Sequence, residues 1–154
     1  MKIEPLSKNM HFFDDVAKLK FQEFSYLTGN ETIENYLERQ KIYVTDQLIP
    51  KTYVVINESR DLIGTFALKL KDLSSRLDLS PWLGSLVVVP SYRRKGVGSY
   101  IVDQAECLAK ELSYSQLYLY TPDQEAWYAK QGWQLIERSF SGKIPISVMS
   151  KALN

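Results

Sequence analysis

One cysteine and one histidine are all that this chain of 154 residues holds of the two most versatile side chains. With Cys107 alone, no intramolecular disulfide forms, and without a Cys/His cluster no structural zinc site is expected. A Ser-His-Asp triad would have to recruit His11, which stands among Met10, Phe12 and Phe13. An excess of either charge is also missing: 19 Lys and Arg face 18 Asp and Glu, for a net charge of +1. That balance gives no general attraction to nucleic acid or anionic membranes, so any cationic site must be local. No apolar run approaches ~20 residues, and MKIEPLSKNM lacks the apolar core of a signal peptide. The expectation is a cytoplasmic protein with neither membrane nor nucleic acid as partner.

Linkers of low complexity, internal repeats and charge blocks are absent too, so residues 1–154 read as a single domain. What is there is a globular composition, 45% apolar and 24% charged. Residues 12–27 carry apolar positions at helical spacing. Ile33, Leu37, Val44 and Leu48 continue that period, with Asn30 as a cap and Pro50 as the stop. TYVVIN (52–57) and LIGTFALKL (62–70) predict a β-hairpin, and LGSLVVV (83–89) a further strand. Ile101, Ala105, Leu108 and Leu112 mark an amphipathic helix, on which Cys107 reads as a small buried hydrophobe. SQLYLYT (115–121) alternates as a strand. A short helix capped by Thr121 and ending at Gly132 follows, then strands from WQLIER and ISVMSK. The fold class is mixed α/β.

One stretch asks for more than a fold: VVVPSYRRKGVGSYIV, Val87 to Val102. Pro90 halts the strand, Arg93, Arg94 and Lys95 supply charge, and Gly96 and Gly98 clear the backbone at a helix start. Unpaired N–H groups and the helix dipole favour an anion there, and the combination suits a pyrophosphate. A Walker A loop is not present, and a dinucleotide fingerprint would need glycine where Ile101 stands.

In these residues the chain resembles the GNAT superfamily of acetyl-CoA-dependent N-acetyltransferases. The family's pyrophosphate motif is Arg or Gln, two residues, Gly, one residue, then Gly or Ala. It reads here as Arg93-Arg94-Lys95-Gly96-Val97-Gly98. WYAKQGW (127–133) is similar to the family's second segment, an aromatic, Tyr, three residues, Gly and an aromatic, with Tyr128 and Gly132 in place. The resemblance is specific from Leu83 to Ile136.

It implies a mixed, mostly antiparallel central sheet, flanked by helices and splayed open between strands 83–89 and 115–121, where acetyl-CoA would lie as co-substrate. Leu86, Val87 and Val88 match the stretch that pairs with the pantetheine arm. Arg93, Arg94, Lys95, Gly96, Val97, Gly98 and Ser99 match the pyrophosphate loop. Tyr128 matches the residue that assists the leaving thiolate. Thr121 stands where many members carry Asn and is expected to cap a helix instead.

The implied reaction is direct attack of a primary amine, on a small molecule or peptide, within a ternary complex, without a metal. An amine of lysine type costs about 4.6 kcal/mol to hold neutral at pH 7, so a base is needed. With no histidine nearby, Asp78 is the first candidate and Asp72 the second, and Trp82 is a candidate for the acceptor wall. A non-catalytic acyl-CoA-binding sensor or interaction module is the alternative. The protein is expected as a monomer or homodimer.

Overall fold

Seven strands hydrogen-bond into one sheet in the computed structural model, which describes residues 1–154. In chain order they are β1 (Lys2–Pro5), β2 (Lys51–Ile56), β3 (Leu62–Lys69), β4 (Trp82–Val88), β5 (Gln116–Thr121), β6 (Gln134–Ser141) and β7 (Ile144–Ala152). Across the sheet they run β1-β2-β3-β4-β5-β7-β6, every neighbour antiparallel except β4 with β5. The helices are α1 (Phe13–Phe24), α2 (Ile33–Gln40), α3 (Val97–Glu111) and α4 (Glu125–Lys130).

The expected hairpin is β2–β3, and its first strand shows why the sheet is sandwiched. Every residue of β2 is buried. Tyr53 and Val55 join the main core under α3, while Val54 and Ile56 face the other way into a cluster with Val16 of α1 and Leu6. Successive strand residues point to opposite faces, so a strand covered by helices on both sides reads as a continuous apolar run. Tyr53 also stacks on Phe66, its partner in the register, at 5.1 Å between ring centroids. On α3, Val97, Ile101, Val102, Ala105 and Ala109 are buried. Cys107 falls between those positions on the solvent face and is exposed, contrary to its reading as a buried hydrophobe.

Two further expectations shift. The second helix was expected to reach Leu48, but α2 stops at Gln40 and passes through a 3-10 turn, Lys41–Tyr43. Its cap is Thr32 rather than Asn30: the Thr32 hydroxyl accepts from Asn35 N–H, and the Asn35 side chain accepts from Thr32 N–H. That reciprocal pair satisfies donors a helix start leaves orphaned. β1 was not foreseen at all. No helix is long and apolar enough to cross a membrane.

Candidate active site

β4 is where the sheet opens. It pairs with β3 along its length but meets β5 at the single pair Trp82–Tyr118. The Tyr118 N–H donates to Pro81 O at 3.0 Å. Beyond that contact the two parallel strands diverge. The β3–β4 register slips between Thr65 and Ala67, where Ser85 takes a left-handed conformation with φ of 53°. A bulge of this kind bends a strand and re-aims the residues after it.

Register then fixes which groups face the gap. Val89 N–H donates to Ile63 O at 2.9 Å. In an antiparallel ladder that direction alternates, so Val88 turns its N–H and C=O away from β3 and into the gap, with Leu86 on the same side. Val87, between them, is opposite Thr65 and faces β3. Of the three residues matched to the pantetheine stretch, Leu86 and Val88 therefore turn backbone groups to the gap, the Val88 C=O being taken by Arg93 Nε and its N–H left open.

The loop after β4 is built to present N–H groups. Arg94 and Gly96 are both left-handed, with φ of 61° and 86°. None of the N–H groups from Arg94 to Ser99 donates to a carbonyl or side chain of the protein, and the last three open the 15-residue helix α3. Gly96 has empty space where a side chain would be, so its glycine answers to the backbone angle. Gly98 is different: a Cβ there would lie 3.4 Å from the Trp127 ring. Lys95 sits over the Tyr92 ring at 5.6 Å. Arg93 is already engaged, its Nε donating to Val88 O at 3.1 Å and its Nη2 3.1 Å from Glu23 of α1.

Tyr128 stands across the gap on α4. Its ring is held edge-on between Trp127 and Trp133, at 4.9 and 6.0 Å. Burial, reinforced by the charge of Asp123, pushes the phenol well above its usual range. The hydroxyl therefore keeps its proton at any ordinary pH. Thr121 Oγ1 accepts from Gln124 N–H at 3.0 Å, so it caps the turn before α4, which begins at Glu125.

Tyr128, Leu86 and Ser85 border a cavity of about 500 Å³ between the gap and the N-terminal helices. α1 and α2 contribute Lys20, Glu23, Tyr36 and Arg39 to it, and the loop after β3 contributes Asp72. Asp72 pairs with Lys69 at 3.1 Å, and its carboxylate lies against the backbone of Gly84 in β4. Burial would lower the Lys69 ammonium, but the adjacent Asp72 carboxylate and the Tyr43 hydroxyl together outweigh it, and Lys69 is raised above its usual value.

Asp78 is elsewhere. Its side chain is 64% exposed, outside the cavity, and paired with Arg76 at 2.9 Å. The Arg76 hydrogen bonds hold its carboxyl below the usual range, which makes it a weak base. Trp82 does not line the cavity either. It is fully buried beside Leu73, Ile146 and Val148, with Nε1 donating to Leu79 O at 2.7 Å, and it closes the paired end of β4 and β5. Lys20, Glu23 and Asp123 escaped the sequence reading. Lys20 alone left a signal, lying one helical turn after Val16 on the buried face of α1. No cluster of His, Cys, Asp or Glu is placed to hold a metal ion.

The same architecture occurs in solved structures at low identity. An aminoglycoside 6'-acetyltransferase type Ii superposes with a TM-score of 0.76 at 17% identity, covering 100% of this chain and 98% of that one. An aminoglycoside 6'-N-acetyltransferase complexed with coenzyme A gives 0.72 at 16% identity, with the same coverage. Spermidine N-acetyltransferase from Vibrio cholerae, in complex with CoA and spermine, gives 0.75 at 16% identity, covering 99% and 95%. No curated protein matches the chain by sequence. The family model described as an acetyltransferase (GNAT) domain matches residues 50–135, which include β4, the amide-bearing loop, the gap and Tyr128. Sequence and geometry meet in that segment, more than half of the chain, and the protein belongs to the GNAT acetyltransferase family.

Proposed function

We propose that the protein transfers an acetyl group from acetyl-CoA to the primary amine of a small molecule or peptide, by direct attack in a ternary complex. The observation that carries this reading is the Tyr128 hydroxyl. It stands protonated and without an internal hydrogen bond where the opened sheet meets a cavity large enough for an acceptor. A module that only held acyl-CoA would need neither the cavity nor the placed hydroxyl.

The pyrophosphate would rest on the N–H groups from Arg94 to Ser99, with Arg94 and Lys95 adding charge. The pantetheine arm would run along β4 and pair with Leu86 and Val88. One of those gap-facing N–H groups would then receive the oxyanion that forms as the amine adds to the thioester carbon. When the carbon–sulfur bond breaks, Tyr128 donates a hydrogen bond to the departing sulfur. A thiol at about 8.5 already makes proton transfer from an ordinary tyrosine uphill by roughly 2 kcal/mol. The upward shift of Tyr128 makes it steeper, so hydrogen bonding is favoured over transfer. Deprotonation of the amine falls to Asp72, through water, since Asp72 lies in the cavity wall beside β4 and Asp78 does not.

The test is thiol release from acetyl-CoA across polyamines, aminoglycosides, amino acids, peptide N-termini and lysine peptides, with mass spectrometry of the products. Acetylated amine from at least one class is expected. Tight acetyl-CoA binding with no turnover across the panel would overturn the enzyme reading in favour of a binding module.

A further inference from the structure

The charges around the cavity are unevenly spoken for. Glu23 pairs with Arg93, Glu31 with Arg39, and Asp72 with Lys69. Lys20 is in no ion pair, and the one carboxylate that supports its charge, Asp72, is bonded to Lys69 instead. Lys20 is only 7% exposed, and its one partner is the Thr52 hydroxyl at 3.3 Å, which occupies one of three ammonium donors. Lys69 and Arg39 are near enough to oppose its charge, and the Tyr43 ring lies 6.0 Å from Lys20 Nζ and 5.4 Å from Lys69 Nζ. Asp123, also in the cavity lining, acts on Tyr128 and is in no ion pair. The cavity lining thus holds an acid in no ion pair that acts on the Tyr128 hydroxyl, and a buried cation in no ion pair, Lys20.

We propose that Lys20 forms a subsite for a carboxylate on the acceptor, so that the acceptor is a small molecule bearing both an amine and a carboxylate. The choice of amine rests on the acetyltransferase reading above; the anion subsite does not. An amine entering as ammonium is drawn to Asp123 and Tyr128, while its carboxylate meets Lys20 with Lys69 and Arg39 behind. A polycation in the same cavity would place a second positive charge against that cluster. An isolated buried ammonium is costly, and a carboxylate is the partner that relieves it. Burial, and then the Lys69 and Arg39 charges, lower Lys20 to about 7, and Asp72 offsets only part of that, in keeping with a buried cation that has no carboxylate bonded to it.

The experiment uses ω-amino acids from glycine to 6-aminohexanoate, their carboxamides and the matching diamines. Each is assayed for acetyl-CoA turnover and, in parallel, for calorimetric binding to the CoA-loaded protein. The wild type is expected to favour one carboxylate over its carboxamide and diamine by ~10–100-fold in kcat/KM, through KM. Lys20→Met should erase that preference, and Lys20→Arg should keep part of it. Equal use of carboxylate, carboxamide and diamine by the wild type would overturn the proposal. So would a Lys20→Met variant that lowers kcat for every amine alike with KM unchanged. If no amine turns over, the enzyme reading fails, and the calorimetric preference for carboxylate over carboxamide, present or absent, still decides the subsite.

Discussion

The guanidinium of Arg93 reaches Glu23 on α1 at 3.1 Å while its Nε remains on Val88 O. One side chain thereby ties the N-terminal helices to the strand end and the loop that follows it. Both partners are about half exposed, and an exposed pair contributes ~1 kcal/mol at most. Neutralising Glu23 removes a carboxylate that would repel a pyrophosphate and frees the guanidinium to meet it. Glu23→Gln is expected to tighten acetyl-CoA binding by up to about 5-fold in calorimetry. Weaker binding would mean that Glu23 aims Arg93 instead of competing for it.

Tyr128→Phe removes the hydroxyl and leaves the ring between its two tryptophans. The loss then falls on the transition state: kcat should drop by ~10²–10⁴-fold with acetyl-CoA affinity nearly unchanged. Because burial raises the phenol, the wild-type rate should show no falling limb from Tyr128 between pH 7 and about 10. Steady-state kinetics with any accepted amine, paired with cofactor binding, reads both. Wild-type kcat in the variant would take Tyr128 out of the mechanism.

Gly96 and Gly98 are expected to fail in different ways. A side chain at Gly96 meets nothing but must sit at a φ of 86°, so Gly96→Ala should cost ~1–2 kcal/mol, visible as a fall of roughly 2–8 °C in Tm. Gly98→Val drives a branched side chain toward Trp127, beside the loop's free N–H groups, and should weaken acetyl-CoA at least ~10-fold in a folded protein. Unchanged cofactor affinity in folded Gly98→Val would make the loop an ordinary surface turn.

Lys20 should cost stability in a pH-dependent manner. Below pH 7 it is charged both folded and unfolded, and the full burden of burying that charge is present. From about 7 to 10.5 the unfolded chain holds a proton the folded chain does not, so stability rises with pH through that window. Lys20→Met is therefore expected to be more stable than wild type by a few kcal/mol at pH 6, an increase on the order of 5–10 °C in Tm, with the advantage shrinking toward pH 10. Thermal melts at both pH values check it. An advantage as large at pH 10 as at pH 6 would assign the cost to packing.

Asp72→Asn and Asp78→Asn separate the two carboxylates. Asp72→Asn leaves Lys69 without its partner beside Lys20, so it should lose stability as well as kcat. Asp78→Asn touches only a surface pair with Arg76 and should change neither rate nor Tm appreciably. Equal kcat in the two variants would remove Asp72 from the chemistry.

The contrast between those aspartates shows where sequence reading reaches. The turn from β4 into α3 was legible because its signals are contiguous: an apolar strand, Pro90, Arg93 to Lys95, Gly96-Val97-Gly98, then α3 at a regular period. Asp72 and Asp78 stand in one polar loop, and nothing local says that the first turns inward to Lys69 while the second turns outward to Arg76. β1 is four residues, Lys2–Pro5, and becomes a strand only because β2 offers it an edge. Trp82 looked like an acceptor wall because it stands just before the strand expected at 83–89; its burial depends on β7, which supplies Ile146 and Val148 from far along the chain. Long-range packing of that kind leaves no local trace.

The single ladder pair between β4 and β5 places an unpaired strand edge in the middle of a sheet, where edges are otherwise confined to the margins. Gap-facing amides beyond Trp82 and Tyr118 have no strand partner, so in the free protein they should exchange with solvent deuterium far faster than their neighbours facing β3 and β7. An extended ligand lying in the gap, with amides of its own, would slow exchange along β4 in particular. The protection pattern would then trace the ligand's path residue by residue, and the two sheet halves, coupled mainly through Trp82 and its neighbours, would gain a shared seam.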